Sequence, residues 1–213
     1  MAEKSRPRPR AGGNAGRVIA GVGRGRRLVA PGPGTRPLGD RVKQSLFAIL
    51  EPELLDEAFL DLFAGSGAAG IEALSRGARI AVLVEHSRHV GQYIERNLRT
   101  AGLLGPRARV IVADALRWLA GRGDVQDAGP FGAVFLDPPY DEPQLADRAL
   151  DAIAGAGRGR ILGPDGVLVV KHSRRHRPPA RIRLLRSVRA ERFGETMLTF
   201  YRWSTADEGE EVG

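Results

Sequence analysis

The run Phe131-Gly132-Ala133-Val134-Phe135-Leu136-Asp137-Pro138-Pro139-Tyr140 sets an acid, two prolines and an aromatic ring directly behind an apolar strand. The prolines lack a backbone N–H and hold the residue before them extended, so the strand ladder must stop there. The Asp137 side chain and the Pro138 carbonyl then stand as two acceptors at the carboxyl edge of a sheet, and Tyr140 presents a flat face. Such a corner suits an exocyclic base amine. The lone pair of that amine is delocalised into the ring. Two acceptors on its N–H groups can turn it toward an electrophile, and a carboxylate can take the proton that must leave. A base reaching Tyr140 has to be unpaired or flipped. A Pro-Pro turn that only closes a strand would explain the prolines, but not the acid before them together with the ring after.

A second constellation precedes it. Asp61-Leu62-Phe63-Ala64-Gly65-Ser66-Gly67-Ala68-Ala69-Gly70 follows an apolar strand and opens a helix, with glycines at the G-x-G-x-x-G spacing. This allows a tight turn and close backbone approach to a nucleotide. Nicotinamide, flavin and adenosylmethionine sites share the spacing, and a plain tight turn could too. Two later acids narrow the choice. Glu85 ends the next strand, where a carboxylate accepts ribose hydroxyls, and Asp114 ends the third, within reach of an adenine amine or as a helix N-cap. Asp61 discriminates between cofactors. It would repel the pyrophosphate of a dinucleotide and attract the ammonium of S-adenosylmethionine. An acid at the end of each of three successive strands therefore favours a cationic amino-acid nucleoside. Its sulfonium carries the methyl group, so no metal is required.

The elements that must hold these residues are legible from periodicity and punctuation. Strands are expected at 58–63, 80–84, 109–112, 133–137 and 166–171, alternating with helices at 68–76, 87–101, 115–120 and 144–154. Such βαβ succession implies a parallel sheet covered on both faces. Residues 182–193 and 196–203 have no helix between them and should form an antiparallel pair at the sheet edge. Upstream, Gly21–Gly25 joins two β-prone runs, 17–20 and 26–30, into a hairpin, and Asp40 is expected to N-cap a helix reaching Leu50. The expected fold class is α/β, a Rossmann-like seven-stranded S-adenosylmethionine-dependent methyltransferase fold with a small N-terminal β-hairpin extension. The expected organisation is a disordered basic tail at 1–16, a hairpin and helix that dock RNA at 17–50, the catalytic domain at 51–203 and an acidic tail at 204–213.

Charge is unevenly placed. The chain of 213 residues carries a formal net charge of +8. Residues 1–43 alone hold eleven basic residues against Glu3 and Asp40, so the surplus sits at one end and fits a polyanion. Arginine dominates, with lysine only at positions 4, 43 and 171, a usage that suggests a GC-rich bacterial genome. Zero cysteines exclude disulfides, thiol catalysis and cysteine-bound zinc. Neither a signal-peptide apolar region nor a membrane-length apolar run is visible, and the expected setting is cytoplasmic.

With DLFAGSGAAGIEALSRGA, the Glu85 strand end, VADA and FLDPPY on the page, the chain resembles the RsmD family, bacterial enzymes that methylate a guanine amine of 16S ribosomal RNA. The resemblance extends to RVIAGVGRGRRL and TRPLGDRVKQSLFAIL upstream and RFGETMLTFY downstream, over roughly residues 17–203. It implies that Asp61, Gly65, Gly67, Glu85, Asp114 and Ala115, with Phe63, Ala64 and Ser66 of the same loop, hold S-adenosylmethionine. It implies that Asp137, Pro138, Pro139 and Tyr140 hold the guanine. Arg17, Arg24, Arg26, Arg27, Arg36 and Arg41 would meet phosphates. The implied partner is 16S rRNA or the small ribosomal subunit, met by a monomer with no metal and no membrane. The chain departs from the family pattern at Val22-Gly23, Leu38-Gly39 and Lys43-Gln44.

Other readings stay open at this level. An adenine-amine methyltransferase of DNA or another RNA would use the same corner, a dinucleotide-dependent oxidoreductase the same glycine loop. A non-catalytic RNA-binding protein is disfavoured by the intact Asp61 and Asp137. His86, His89, His172 and His176 lack metal-ligand spacing. Trp118 and Trp203 are expected to pack, and Lys171 to be a solvated strand-end lysine. Arg174, Arg175 and Arg177 form a second basic cluster, either an extension of the RNA surface or a solvated loop.

Overall fold

The computed structural model describes residues 13–32, 38–121 and 128–204. Arg36 and most of the two tails lie outside them. The described residues form a two-stranded hairpin, β1 (Gly13–Arg17) and β2 (Arg27–Ala30), and a larger α/β body. The body begins with α1 (Asp40–Leu50). It continues through β3 (Ala58–Asp61), α2 (Ala68–Ser75), β4 (Ile80–Glu85), α3 (Arg88–Ala101), β5 (Ala108–Val112) and α4 (Ala115–Ala120). It ends with β6 (Phe131–Leu136), α5 (Gln144–Ala156), β7 (Leu162–Ser173), β8 (Arg181–Ile182), β9 (Leu185–Phe193) and β10 (Thr196–Trp203).

The sheet order is β5-β4-β3-β6-β7-β10-β9-β8. Strands β3 to β7 are parallel, and β10 enters antiparallel between β7 and β9. The seven expected strands are all present. The eighth, β8, is a two-residue piece that pairs back on β9 across Arg183 and Leu184. The chain runs outward from β3 through β4 to β5, then returns to build β6 and β7 on the other side. The direction of winding reverses between β3 and β6, which opens a crevice above their carboxyl ends.

Alternation along the strands feeds two cores. Phe59, Leu83, Phe135 and Val169 face the hairpin, α1, α2 and α3. Leu60, Val84, Val134 and Val170 face α4 and α5. Helix α2 lies very close to the sheet: a Cβ on Gly70 would come within 2.6 Å of Leu83 Cδ2. Gly67 opens that helix at φ +79°, a left-handed value that favours glycine.

Two upstream expectations are corrected. The second hairpin strand, expected at 26–30, is present as β2, but the first is not 17–20: it lies four residues earlier, starting at Gly13 inside the segment expected to be tail. The reason is polar. Buried Glu72 of α2 accepts Ile19 N at 2.7 Å and Ala20 N at 3.0 Å, Ser75 Oγ accepts Gly23 N at 2.9 Å, and Ser75 O accepts Val22 N at 2.9 Å. With those donors taken by α2, residues 19–23 lie along the helix, while Val18 still bonds Gly25 and Arg26 across the hairpin. Nor does Asp40 cap α1. Gly39 holds the cap position without a side-chain bond, and Asp40 in the first turn pairs with Arg17 Nε at 3.1 Å. Ser87 and Asp114, by contrast, do cap α3 and α4.

Glu72 also accepts from Arg76 Nε at 2.8 Å, so one buried carboxylate gathers three donors. Replacing it with alanine strips two backbone N–H groups of their acceptor, at about 1–3 kcal/mol each. Glu72→Ala should lower stability by about 2–4 kcal/mol in equilibrium denaturation and speed hydrogen exchange at Ile19 and Ala20. Unchanged exchange at both amides would contradict the anchoring role.

Candidate methyltransferase site

The crevice is a cleft of about 690 Å³, of the size that takes a nucleoside-sized ligand. Its walls include Asp61, Gly65, Glu85 and Asp114 on one side and Asp137 and Tyr140 on the other. The cofactor-loop residues Phe63, Ala64 and Ser66, with Ala115, Pro138 and Pro139, line it too. Gly67 lies behind the loop as the helix cap. The two groups of residues selected from sequence therefore meet in one space, because β3 and β6 are adjacent and end at the same edge.

Each acid has a different environment. Asp61 is buried at the last position of β3; Oδ2 accepts Gly70 N at 3.3 Å, while Oδ1 has no hydrogen-bond partner. Burial pushes its pKa up to about 8, and Asp137 and Glu85 push the same way against the backbone N–H groups of Gly70 and Phe63. A buried acceptor without a donor is costly. A hydrogen-bond donor would suit that oxygen, whereas the phosphates of a dinucleotide would not.

Glu85 shapes the loop before it meets any ligand. Its Oε2 accepts Gly65 N at 3.0 Å and its Oε1 accepts Ser87 N at 2.9 Å. A carboxylate has about four acceptor sites, so capacity remains for ribose hydroxyls. Asp114 Oδ1 accepts Arg117 N at 2.8 Å as the cap of α4, while the residue still lines the cleft. The capping and ligand-facing readings are thus compatible.

The acceptor corner contains a residue whose sequence reading is corrected. Lys171 is not a solvated strand-end lysine: it is 7% exposed, and its Nζ donates to Asp137 Oδ1 at 2.6 Å. The same Nζ lies 4.7 Å from the centroid of the Tyr140 ring. Burial raises the Asp137 pKa, and the ammonium opposes that rise. Burial by itself would lower the lysine, yet Asp137 and Tyr140 together hold it above its ordinary value. Lys171 and Asp137 are in direct contact, and each charge favours the charged form of the other against the cost of burial. The Tyr140 hydroxyl meets Thr196 Oγ1 of β10 at 3.0 Å.

Among the expected phosphate contacts, Arg17, Arg24, Arg26, Arg27 and Arg41 are exposed. Arg17 and Arg27 line a second, polar groove with Asn14 and Asp40. Leu38, just before α1, reaches the cleft itself, so the N-terminal region borders the site. Asn97 of α3 joins the two: it bonds Val29 N and Val29 O of β2, and its Nδ2 also donates to Ser66 O of the glycine loop at 2.9 Å. Neither Lys171, Asn97 nor Thr196 was singled out for the site from sequence. For Lys171 a signal existed, since the expected strands 133–137 and 166–171 end on these two residues.

Among the described residues no group of three or more His, Cys, Asp or Glu could hold a metal ion, and no helix is long and apolar enough to cross a membrane. Trp203 is buried, its Nε1 donating to Gly163 O at 3.0 Å, and Trp118 packs against the α4–α5 core.

Comparison with known proteins agrees with this geometry. Residues 16–202 match the family described as "Conserved hypothetical protein 95". The chain is 45% identical over 148 residues to "Ribosomal RNA small subunit methyltransferase D" of Escherichia coli strain K12, covering 63% of this chain and 71% of that protein. The solved structure of the Escherichia coli protein yhhF superposes with a TM-score of 0.77 at 33% identity, covering 90% of this chain and 99% of that one. A more distant structure, SMU.776 solved in complex with SAH, shares the fold alone, with a TM-score of 0.56 at 11% identity over 75% of this chain and 48% of its own. The long match over nearly the whole folded region, on the sheet order and cleft described above, means that this chain belongs to the RsmD family.

Proposed function

We propose that the protein transfers a methyl group from S-adenosylmethionine to the N2 amine of a guanine in 16S ribosomal RNA, on an assembled or partly assembled small subunit. The observation that carries the reading is the cleft lined both by Asp61, whose buried Oδ1 has no partner, and by the Asp137–Tyr140 corner. The name of the Escherichia coli relative supports the ribosomal substrate.

Asp61 would hold the cofactor ammonium, Glu85 the ribose hydroxyls and Asp114 the adenine amine, with the loop from Phe63 to Gly67 curving around the middle. When bound, S-adenosylmethionine supplies an electrophilic methyl whose bonding pair returns to sulfur as the new carbon–nitrogen bond forms. Asp137 and the Pro138 carbonyl accept from the guanine amine and aim its lone pair across the cleft. Asp137 then takes the surplus proton of the nitrogen. Tyr140 stacks on the base and fixes the plane from which the amine attacks. Proximity and alignment supply much of the rate. The exposed arginines of the N-terminal region would hold phosphates while the base enters as an unpaired or flipped nucleotide.

Labelled S-adenosylmethionine incubated with small subunits from a strain lacking this gene should yield N2-methylguanosine after RNA digestion. Asp137→Ala should lower that rate at least a hundredfold while S-adenosylhomocysteine still binds. Label in methyladenosine, or only on added DNA, would overturn the substrate assignment. With about five arginine–phosphate contacts, RNA affinity should fall roughly a hundredfold or more between 50 and 200 mM salt. A flat salt profile, measured by filter binding, would remove the arginines from the interface.

A further inference from the structure

Lys171 remains to be explained. The chain uses arginine almost throughout and has lysine at three positions only, yet both described lysines, Lys43 and Lys171, are buried. Lys43 donates to the Arg17 carbonyl and ties α1 to β1. Lys171 instead points into the cleft, where the parallel register of Leu136 with Val170 brings the next residues, Asp137 and Lys171, side by side. A compact ammonium fits between a carboxylate and a ring face where a broad guanidinium would not.

We propose that Lys171 is the positioning residue of the acceptor site: its ammonium keeps Asp137 ionised and turned toward the incoming amine, and it covers one face of Tyr140 so that the base stacks on the other. The inference rests on the methyltransferase reading for its catalytic consequence, but the ion pair stands on geometry alone. The titratable groups that line the cleft with Asp137 are Asp61 from β3, Glu85 and His86 at the end of β4, Asp114 before α4, Tyr140, Asp141 and Glu142 after β6, and Lys171 from β7. Of these, Lys171 is the cation in direct contact with Asp137, whereas His86 meets Glu85 Oε1 at 3.0 Å. Without that ammonium burial would favour the protonated carboxyl, and a protonated carboxyl cannot take up the leaving proton. Asp137 Oδ1 is occupied by Lys171 at 2.6 Å, which leaves Oδ2 for the substrate. The ring face 4.7 Å from Nζ is held by a cation–π contact, and the hydroxyl is tethered to Thr196 at 3.0 Å. Tyr140 is therefore a platform fixed at its tip and on one side.

The test has one readout that needs no RNA and one that does. Carbon-13 NMR of the labelled Asp137 carboxyl should show its titration midpoint rising by at least one pH unit in Lys171→Met, with S-adenosylhomocysteine affinity within about threefold of wild type as evidence of an intact loop. The acid limb of the single-turnover methylation profile should move up by the same amount, so the rate loss is largest at low pH and shrinks as pH rises. Because the chain has no cysteine, Lys171→Cys alkylated with bromoethylamine restores an ammonium at this position alone and should return the Asp137 midpoint to within half a unit of wild type. An unmoved midpoint in Lys171→Met, or a rate loss equal at every pH, would overturn the proposal. Wild-type protein inactive on every RNA tested would count against the methyltransferase reading, and the NMR midpoint would still decide the role of Lys171.

Discussion

Asp61 lies buried at the centre of the sheet with one oxygen unpartnered, beside a second carboxylate on the neighbouring strand. Two acids in one water-poor crevice repel each other and resist ionisation, and the surrounding structure manages that cost unequally. Asp137 receives a resident cation, Lys171. Asp61 receives only backbone N–H groups. The difference separates an acid with a resident cation from one whose Oδ1 has no partner. The winding of the chain makes the arrangement possible, because reversal between β3 and β6 brings both acids to one edge while the loop after β3 opens around them.

The N-terminal region is joined to this centre by specific bonds. Glu72 and Ser75 bind the segment after β1 to α2, the helix that starts from the glycine loop, and Asn97 links β2 directly to Ser66 of that loop. A hairpin that carries the exposed arginines is thereby held in fixed relation to the cofactor loop. These anchors are buried or half-buried polar groups with their partners satisfied, which restricts the hairpin to one pose more sharply than apolar packing would. The exposed Arg17–Asp40 pair adds little to that rigidity.

Much of this was legible in the chain itself. Periodicity located seven of the eight strands of the large sheet, all but the two-residue β8, and the acids at strand ends together with the Asp-Pro-Pro-Tyr corner pointed to residues that line the cleft. What escaped detection depended on pairing across the fold. The hairpin was misregistered because the N–H groups of Ile19 and Ala20 are claimed by a glutamate more than fifty residues away. Asp40 looked like a helix cap by type and position but is drawn to Arg17. Lys171 looked solvated because a terminal lysine on a strand usually is. Its burial follows from register with β6, and the two expected strand ends, Asp137 and Lys171, already held that information once the strands were known to be neighbours.

Calorimetry of S-adenosylhomocysteine binding in buffers of different ionisation enthalpy tests the account at its centre. The pKa of Asp61 in the free protein is raised to about 8, so at pH 7 the carboxyl is mostly protonated. A ligand ammonium pulls that value down, so binding at pH 7 should release close to one proton, and affinity should rise as pH increases from 6 to 7.5. The same linkage means that Asp61 costs the free protein stability as pH climbs from about 4 toward about 8, so the ligand-induced rise in Tm should grow across that window. Asp61→Asn should bind more weakly and release no proton. PH-independent affinity with no proton release in wild type, or proton release that persists in Asp61→Asn, would contradict the assignment of the buried carboxylate to the ligand's cation.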